Sequence, residues 1–547
     1  MSLKTKIDTI FPEEQNISND IMADIPAPIH RYLIDGELRG WKGRMQKVFS
    51  PVCLKTASGL EPKCIGSYPL LTPKQALKSL DAAVNAYRNG RGTWPTMPVV
   101  DRIKCIQDFA HQMVEQKDRM VQLLMLEIGK SLQDSIKEFD RTVDYIKDTI
   151  AALKDLDRVS SRFVIEQGII GQIRRAPLGV VLCMGPFNYP LNETFATLIP
   201  ALIMGNTVIL KPPKHGALLY GPLLEPFRNA FPKGVVNVVF GEGRKIIPPL
   251  MASGKINVLA LIGTSKTSDF LRKQHPKPHR LHCVLGMEAK NAAIILPDAD
   301  LDLTVRECIL GCLSFNGQRC TALKILFVHT KIIKPFLEQF SQAVSRLKFG
   351  MPWEGSVFIT PLPETGKPDY LAKLVEDARH FGAKIINENG GRTNRSFFYP
   401  AVLYPVSHLM RVYTEEQFGP VIPVLSFDDI EIPIDYIVAS NYGQQLSIFG
   451  GNPDVIASLI DPLVNQVCRV NINSQCQRGP DTFPFTGRKD SAGWTLSVAD
   501  ALCAFSIRIM VAAKKLDLNR KIITTIVRKR RSNFFHGFYT INEETRK

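Results

Sequence analysis

The sequence predicts an α/β fold containing a parallel sheet of the Rossmann type. Short apolar runs rich in β-branched residues follow one another in the middle of the chain: Val180–Met184, Val208–Leu210, Val235–Phe240, Val258–Ile262 and Ala293–Leu296. Segments with helical periodicity, such as Ala217–Ala230, lie between these runs. Because parallel strands need a crossover connection that is usually a helix, this alternation predicts a parallel sheet. A chain of 547 residues can hold about two to four such domains and a large core.

Composition excludes several classes of protein. With 45% apolar and 22% charged residues, the chain is typical of a globular protein. It has no apolar run of the length that a transmembrane helix needs, and Met1–Glu14 lacks a secretory h-region, so membrane association and secretion are not expected. The eleven cysteines show no metal-binding spacing, since Cys308 with Cys312 and Cys468 with Cys476 have no second pair. They favour a cytoplasmic protein without a metal site.

The positive charge is concentrated at the end of the chain. The formal net charge is +16, and Val511–Lys547 alone has ten basic residues against three acids. The thin positive charge of the remaining chain suits anionic ligands such as phosphates, so nucleic acid is not expected as a partner. The basic extension, residues 516–547, is predicted to be a solvated tail, an additional oligomer contact, or a weak membrane or nuclear signal.

The N-terminal part contains an arm and then helices. Residues 1 to 60 are punctuated by prolines and glycines and predict an arm with a few strands. From Thr72 to Leu156 the apolar residues recur at helical spacing. Three apolar helix faces are predicted, and they contain Leu80, Ile106 and Leu124, respectively.

The usual glycine-rich dinucleotide fingerprint is absent. Gly241–Arg244, which includes Gly243, is a weak fragment of it. A dinucleotide could instead meet the helix that begins at Gly263, Thr264 and Ser265, because free N–H groups at a helix N-terminus favour phosphate. A plain helix cap is the alternative interpretation of this segment.

Cys320 is the candidate nucleophile. It lies in Ser314–Leu323 after a predicted helix and directly follows Arg319, a cation expected to lower the thiol pKa. Asn188, in the loop Pro186–Pro190 after a predicted strand, offers an amide that can stabilise an oxyanion. The alternatives are an inert core cysteine and an ordinary turn.

Four motifs in order resemble the aldehyde dehydrogenase superfamily. They are the loop of Asn188, the run Ile209–Pro212, the segment of Cys320 and the run Glu415–Pro420, and the resemblance extends from about Ile128 to Lys515. It implies a Rossmann-type cofactor domain, an α/β catalytic domain and a β-hairpin oligomerisation element.

The resemblance also implies domain boundaries. Residues 1–160 and 177–290 would form the arm, helices and cofactor domain, and residues 291–485 the catalytic domain. Residues 161–176 and 486–515 would form the oligomerisation element, which implies a homodimer or homotetramer.

The cofactor implied by the resemblance is NADP. Lys211 would meet the adenosine ribose, and Lys214 stands where NAD-preferring relatives often have an acid. A lysine pairs with a 2′-phosphate that an acid would repel. Glu416 would bind the nicotinamide ribose and Phe418 would pack beside the nicotinamide ring, although an exposed turn is the alternative for this segment.

Within the superfamily, the motifs are similar to those of non-phosphorylating glyceraldehyde-3-phosphate dehydrogenases. The resemblance implies that Arg319, Arg478, Tyr189 and Arg141 hold the phosphate of a phosphorylated aldehyde. A guanidinium suits this task because it stays charged and donates two parallel hydrogen bonds. For Arg141 a surface salt bridge is the alternative.

One position departs from the family pattern. Where the family has the glutamate that activates water for deacylation, this chain has Gly286, and the nearest acid is Glu288. In an extended segment a shift of two residues keeps the same face but moves the side chain roughly 6 to 7 Å. Glu288 is expected to be the base if it reaches the thioester through a water.

The expected reaction is an irreversible step of glycolysis. It would oxidise glyceraldehyde 3-phosphate to 3-phosphoglycerate with NADP through a Cys320 thioester, without phosphate. The alternatives are a semialdehyde dehydrogenase acting on a carboxylated aldehyde, and a weakly active family member with a binding role.

Overall fold

The computed structural model describes residues 2–494 and 496–535. Its α-helices within this part of the chain are α1 Leu3–Asp8, α2 Asn19–Met22, α3 Pro73–Tyr87, α4 Thr93–Thr96, α5 Val99–Val114, α6 Lys117–Leu123, α7 Leu132–Ser160, α8 Asn192–Ile203, α9 Leu224–Ala230, α10 Gly243–Ala252, α11 Ser265–Gln274, α12 Leu301–Leu313, α13 Ile333–Ser345, α14 Lys367–His380, α15 Arg411–Thr414, α16 Glu431–Ala439, α17 Pro453–Leu463, α18 Val498–Ala504 and α19 Asp517–Arg528.

The strands of the same residues are β1 Ala27–Pro28, β2 Arg31–Ile34, β3 Glu37–Gly40, β4 Met45–Thr56, β5 Gly59–Pro69, β6 Phe163–Glu166, β7 Ile169–Pro177, β8 Val180–Met184, β9 Thr207–Lys211, β10 Val236–Val238, β11 Val258–Ile262, β12 His282–Gly286, β13 Asn291–Ile295, β14 Leu323–His329, β15 Lys384–Ile385, β16 Thr393–Asn394, β17 Phe397–Phe398, β18 Ala401–Tyr404, β19 Val421–Phe427, β20 Tyr442–Gly443, β21 Gln445–Phe449, β22 Arg469–Ile472, β23 Arg488–Lys489, β24 Ala492–Gly493 and β25 Ser506–Lys514.

The first large sheet has the order β24-β12-β11-β8-β9-β10-β2-β3. Its five central strands, β12 to β10 in that order, are parallel, and antiparallel strands flank them on both sides. All residues of β8 are apolar and all residues of β9 are buried, because helices cover both faces of the sheet. The carboxyl ends of β8, β9 and β11 open on one edge, which is where ligands bind in sheets of this kind.

The second large sheet has the order β15-β18-β19-β14-β13-β21-β22 and is parallel except for the edge strand β15. Separate apolar clusters pack on it, one including Phe336 and Phe340 and another including Leu371 and Leu459. The prediction of an α/β fold with parallel sheets is confirmed.

A third, three-stranded antiparallel sheet has the order β25-β7-β6. It contains the two segments that resemble the family's oligomerisation element, and it leaves Val164, Ile165 and Met510 more than half exposed. Helix α19 covers part of this sheet through Ile523 and Val527. Residues 536–547 of the basic extension lie outside the described residues.

One predicted helix is wrong. Ala217–Ala230 is a 3₁₀ turn, Leu218–Tyr220, followed by the shorter helix α9. Pro222 lies between the two and has no N–H to donate to the carbonyl four residues earlier, which interrupts a continuous helix. Among the described residues, no helix is both long and apolar enough to cross a membrane.

Candidate active site

A tight turn presents Cys320 between α12 and β14. Phe315 and Asn316, in the 3₁₀ turn before it, both have left-handed φ values, 49° and 56°. The Asn316 side chain stabilises this strained turn by donating to Thr360 Oγ1 (3.1 Å) and accepting from the Thr360 N–H (2.9 Å). Backbone strain of this kind persists where the surroundings hold it. The half-buried Cys320 is therefore placed by a rigid support.

Two side chains fix the backbone of Cys320 itself. Its carbonyl oxygen accepts hydrogen bonds from Asn291 Nδ2 at 2.8 Å and from Lys324 Nζ at 2.9 Å. Lys324 is the second residue of β14 and is almost fully buried. The nucleophile thus stands next to a buried cation that the sequence reasoning did not assign to the site.

Asn188 lies close to this turn. Its side chain is buried, and Nδ2 donates 2.8 Å to the carbonyl of Gln318, two residues before Cys320. The backbone carbonyl of Asn188 accepts from Lys130 Nζ at 2.8 Å, and Lys130 forms a fully buried ion pair with Glu138. The structure therefore brings together the predicted nucleophile and the predicted oxyanion donor.

The net shift of the pKa of the Cys320 thiol is upward, and an opposing effect of Arg319 stays a prediction. Burial raises the pKa of the Cys320 thiol, and the Glu193 carboxylate raises it further, while Lys324, Arg478 and a hydrogen bond with Gln444 lower it. Arg319 instead directs Nη2 to the carbonyls of Leu310 (2.9 Å) and Gly311 (3.0 Å).

The four predicted substrate residues lie in two groups. Arg141 makes a bidentate ion pair with Asp481, with both N–O distances 2.7 Å. Arg478 lies between Asp481 (3.1 Å) and Glu193, and all three side chains are buried. The salt-bridge alternative for Arg141 thus describes its present contact, although the partner is a buried acid and not a surface one.

Arg319 and Tyr189 form the second group. The Nε–H of Arg319 is buried and has no hydrogen-bond partner among the described residues. Burial raises the pKa of Tyr189, and Arg319 opposes the rise. The Tyr189 ring packs under Lys130 Nζ, 3.6 Å from the ring centroid.

Glu288 points to the predicted cofactor helix. Its carboxylate accepts the Ser265 N–H at 2.9 and 3.1 Å and the Ser265 hydroxyl at 3.3 Å, so it caps α11. No hydrogen bond or ion pair joins it to Cys320 within the described residues. Gly286 is the last residue of β12 and pairs with Ile262 and Ala492.

The predicted cofactor residues lie at the carboxyl edge of the first sheet. Lys211 ends β9 and is nearly buried, and burial lowers its pKa to about 8. Lys214 is exposed in the following loop. Gly243 begins α10, and a Cβ added there would meet Lys211 Cε at 3.9 Å.

Gly263 and Thr264 lead into α11. The Gly263 N–H donates to the carbonyl of Gly286 (2.9 Å), and the Thr264 hydroxyl accepts from the Thr267 N–H (3.3 Å). Together with the Glu288 contact, these bonds match the alternative interpretation of a capped helix in the present conformation.

Glu416 and Phe418 stand on the other side of the crevice. Glu416 pairs with Lys324 at 2.8 Å and accepts the Ala289 N–H at 3.1 Å. The Phe418 ring lies 5.9 Å from that of Phe187, which belongs to the Asn188 loop. The described residues contain no His, Cys, Asp or Glu cluster that could hold a metal ion.

The sequence profile of the aldehyde dehydrogenase family matches residues 54–506. The chain belongs to the aldehyde dehydrogenase family. It is 31% identical over 507 residues to the NADP-dependent glyceraldehyde-3-phosphate dehydrogenase of Arabidopsis thaliana, covering 90% of this chain and 95% of the relative. It is 27% identical over 430 residues to malonate-semialdehyde dehydrogenase 1 of Bacillus licheniformis, covering 78% of this chain and 88% of the relative.

A solved aldehyde dehydrogenase structure is also similar. The NADP-dependent glyceraldehyde-3-phosphate dehydrogenase of Bacillus halodurans, complexed with NADP, matches with a TM-score of 0.81 and 30% identity. The match covers 89% of this chain and 99% of that chain. The predicted family and fold are therefore confirmed.

Sequence reasoning missed four charged residues of this aldehyde dehydrogenase: Glu193, Asp481, Lys324 and Lys130. Glu193 and Lys324 had a signal, because a charged residue inside an apolar run is costly to bury without a partner. Glu193 lies in α8, where every residue is buried, and Lys324 lies in the buried strand β14. The signal shows that a partner exists but not which residue it is.

Proposed function

We propose that this aldehyde dehydrogenase oxidises an aldehyde with an anionic tail to the acid, with NADP as hydride acceptor and a thioester on Cys320. Glyceraldehyde 3-phosphate, giving 3-phosphoglycerate without inorganic phosphate, is the candidate substrate that the names of the relatives suggest. The observation that carries the proposal is the convergence of Asn188 Nδ2 and the buried Lys324 Nζ on main-chain carbonyls of the Cys320 turn.

The residues at the sheet edge fit the adenosine end of NADP. Lys211 is nearly buried, and no acid lies within ion-pair distance of it among the described residues. A buried amine without an acid suits a ribose or phosphate oxygen, and the exposed Lys214 adds a cation for a 2′-phosphate. Glu416 and Phe418 would hold the nicotinamide end, and Glu288 would have to release Ser265 for a diphosphate to reach α11.

The residues of the chain supply the other steps. The Cys320 thiolate attacks the aldehyde carbon, and the oxyanion so formed accepts hydrogen bonds from the Asn188 amide and the Cys320 N–H. When bound, NADP would supply the acceptor for the hydride that leaves this carbon. Water then attacks the thioester, the C–S bond breaks and the acid leaves, with Glu288 as the proposed base once it turns away from Ser265.

A carboxylated semialdehyde is the second candidate substrate. The observation that favours it is the pairing of Arg141 and Arg478 with Asp481 and Glu193, which leaves less positive charge for a phosphate. A monocarboxylate needs less compensating charge than a phosphate.

We also propose a homo-oligomer and a cytoplasmic location. The exposed apolar residues of the β25-β7-β6 sheet support an interface with a second copy, and the ranges given above for the domains remain the proposed division. All eleven cysteines are free thiols, which supports a reducing compartment.

The test is NADPH formation by the purified full chain without inorganic phosphate. Glyceraldehyde 3-phosphate, succinic semialdehyde and propionaldehyde are compared, each with NADP and with NAD. We expect turnover with NADP and an anionic aldehyde. Turnover with NAD but not with NADP would contradict the assignment of NADP as cofactor. No turnover with any aldehyde would support the alternative of a weakly active family member with a binding role.

A further inference from the structure

Arg478 is a buried cation that is already neutralised. Its side chain is 4% exposed and lies between the carboxylates of Glu193 (8% exposed) and Asp481 (9% exposed). The guanidinium also stacks over the Phe485 ring, 4.8 Å from the centroid. A side chain held on three sides in this way has little freedom to turn towards a new anion.

Asp481 forms ion pairs with two arginines at once. It also holds Arg141 through two hydrogen bonds of 2.7 Å, so the cluster Arg141–Asp481–Arg478–Glu193 contains two cations and two anions. Its formal charge is zero, and Arg319 is the one predicted substrate arginine outside it. The positive charge offered to a substrate tail is therefore close to one unit instead of three.

Arg319, unlike Arg141 and Arg478, has no carboxylate within ion-pair distance among the described residues, although Nε and Nη1 of Arg478 also lack a hydrogen bond. The Nε–H of Arg319 is buried without a hydrogen-bond partner among the described residues, while Nη2 is anchored to main-chain carbonyls. Buried donors in proteins are nearly always satisfied by a protein group, a water or a ligand, so this N–H is available to donate to a ligand acceptor. A single carboxylate oxygen satisfies it.

We infer that Glu193 is a specificity-determining residue, and that its pairing with Arg478 makes the site prefer an aldehyde whose tail carries one carboxylate over a phosphorylated aldehyde. The inference rests on the proposed aldehyde oxidation and names its substrate class. At neutral pH a phosphate monoester carries a charge of about −1.5 to −2. To bind Arg478 it must displace the Glu193 carboxylate and leave that charge buried and uncompensated, which is strongly unfavourable.

The test compares Glu193→Gln and Glu193→Leu with the wild type. Asp140→Asn is the matched control, because it removes one negative charge from an exposed carboxylate of α7 that pairs with Lys117 of α6. For each protein, kcat/KM with NADP is measured for glyceraldehyde 3-phosphate, succinic semialdehyde and propionaldehyde. Thermal unfolding confirms that each variant is folded.

The wild type is expected to have a higher kcat/KM for succinic semialdehyde than for glyceraldehyde 3-phosphate. Both Glu193 variants are expected to raise the kcat/KM ratio of the phosphorylated to the uncharged aldehyde by about tenfold, through KM, because Arg478 gains a charge-assisted contact. Asp140→Asn should leave the ratio at the wild-type value. A wild type that prefers the phosphorylated aldehyde, or an unchanged ratio in both variants, overturns the inference.

A binding measurement separates this inference from the reaction itself. Inorganic phosphate is titrated against each protein by calorimetry, which needs no turnover. Tighter phosphate binding by Glu193→Leu than by the wild type supports the inference even if no aldehyde is oxidised, in which case only the proposed function fails. Equal phosphate binding by the two proteins contradicts it.

Discussion

At Cys320, burial and charge act in opposite directions on the thiol. Burial and Glu193 favour the neutral thiol, while the cations Lys324 and Arg478 favour the thiolate. Because the net shift of the pKa is upward, the thiolate is a minor species near neutral pH and its reactivity should keep rising with pH. The balance also makes Lys324 the cation to remove in a test.

Lys324→Met is expected to raise the thiol pKa further and to slow alkylation of Cys320 at pH 8 by about threefold or more. Iodoacetamide labelling of Cys320, followed by peptide mass spectrometry between pH 7 and pH 10, measures this. Lys117→Met, which removes an exposed cation elsewhere, is the control and should not change the rate. An equal labelling profile for wild type and Lys324→Met would show that Lys324 does not stabilise the thiolate.

Glu288 is the residue whose predicted role and observed contact differ most. Its carboxylate caps α11 through Ser265, at the helix end where a cofactor phosphate is expected. A carboxylate in this place stabilises the helix and competes with a phosphate. These two effects have opposite consequences when the side chain is removed.

Glu288→Ala is therefore expected to lower the melting temperature of the ligand-free protein by a few degrees and to tighten NADP binding by about threefold to tenfold. Differential scanning fluorimetry and calorimetric titration of NADP measure the two effects. Glu242→Ala, an exposed acid at the N-cap of the neighbouring helix α10, is the control. If NADP binding weakens along with the stability, Glu288 is a structural cap only.

At the scale of elements, local sequence patterns predicted the strands but not the ion pairs between residues that are distant in the sequence. The runs Val180–Met184 and Val258–Ile262 are strands with the predicted bounds, because a buried parallel strand is a short continuous apolar run. The pair Arg141–Asp481 spans 340 residues of sequence, and no local pattern encodes such a contact.

One helix and one side-chain orientation differ from what local patterns predict. The apolar spacing of Ala217–Ala230 indicated one helix, but Pro222 lacks the N–H that a continuous helix needs and divides it. The orientation of Glu288 could not be predicted either, since it depends on α11 presenting free N–H groups beside β12.

Helix α19 gives a test of packing at the scale of an element. Ile523 is 5% exposed against the β25-β7-β6 sheet, while its neighbour Ile522 is 48% exposed. Ile523→Ala should weaken the docking of α19 by about 2 to 4 kcal/mol because it deletes a buried side chain, and Ile522→Ala should have little effect. Limited trypsin digestion measures cleavage near Arg520 and Arg528, and equal cleavage in the two variants would contradict the packing.

For the whole molecule, the sheet β25-β7-β6 is the proposed interface between copies. Val164 and Ile165 are 52% and 51% exposed on β6, which is unusual for neighbouring large apolar residues. Ile165→Asp should shift the protein from a multiple of 61.2 kDa towards the monomer mass in light scattering after size exclusion. Val100→Asp, an exposed position on α5, is the control, and a wild-type monomer would contradict the proposed interface.

The central claim is that Cys320 carries the acyl group in an oxidation that needs no inorganic phosphate. The most direct measurement is the time course of NADPH formation with NADP and succinic semialdehyde or glyceraldehyde 3-phosphate, for the wild type and for Cys320→Ser. We expect continuous NADPH formation by the wild type and a loss of at least about a thousandfold in the variant. Full activity of Cys320→Ser, or no NADPH from the folded wild type with either aldehyde, would contradict it.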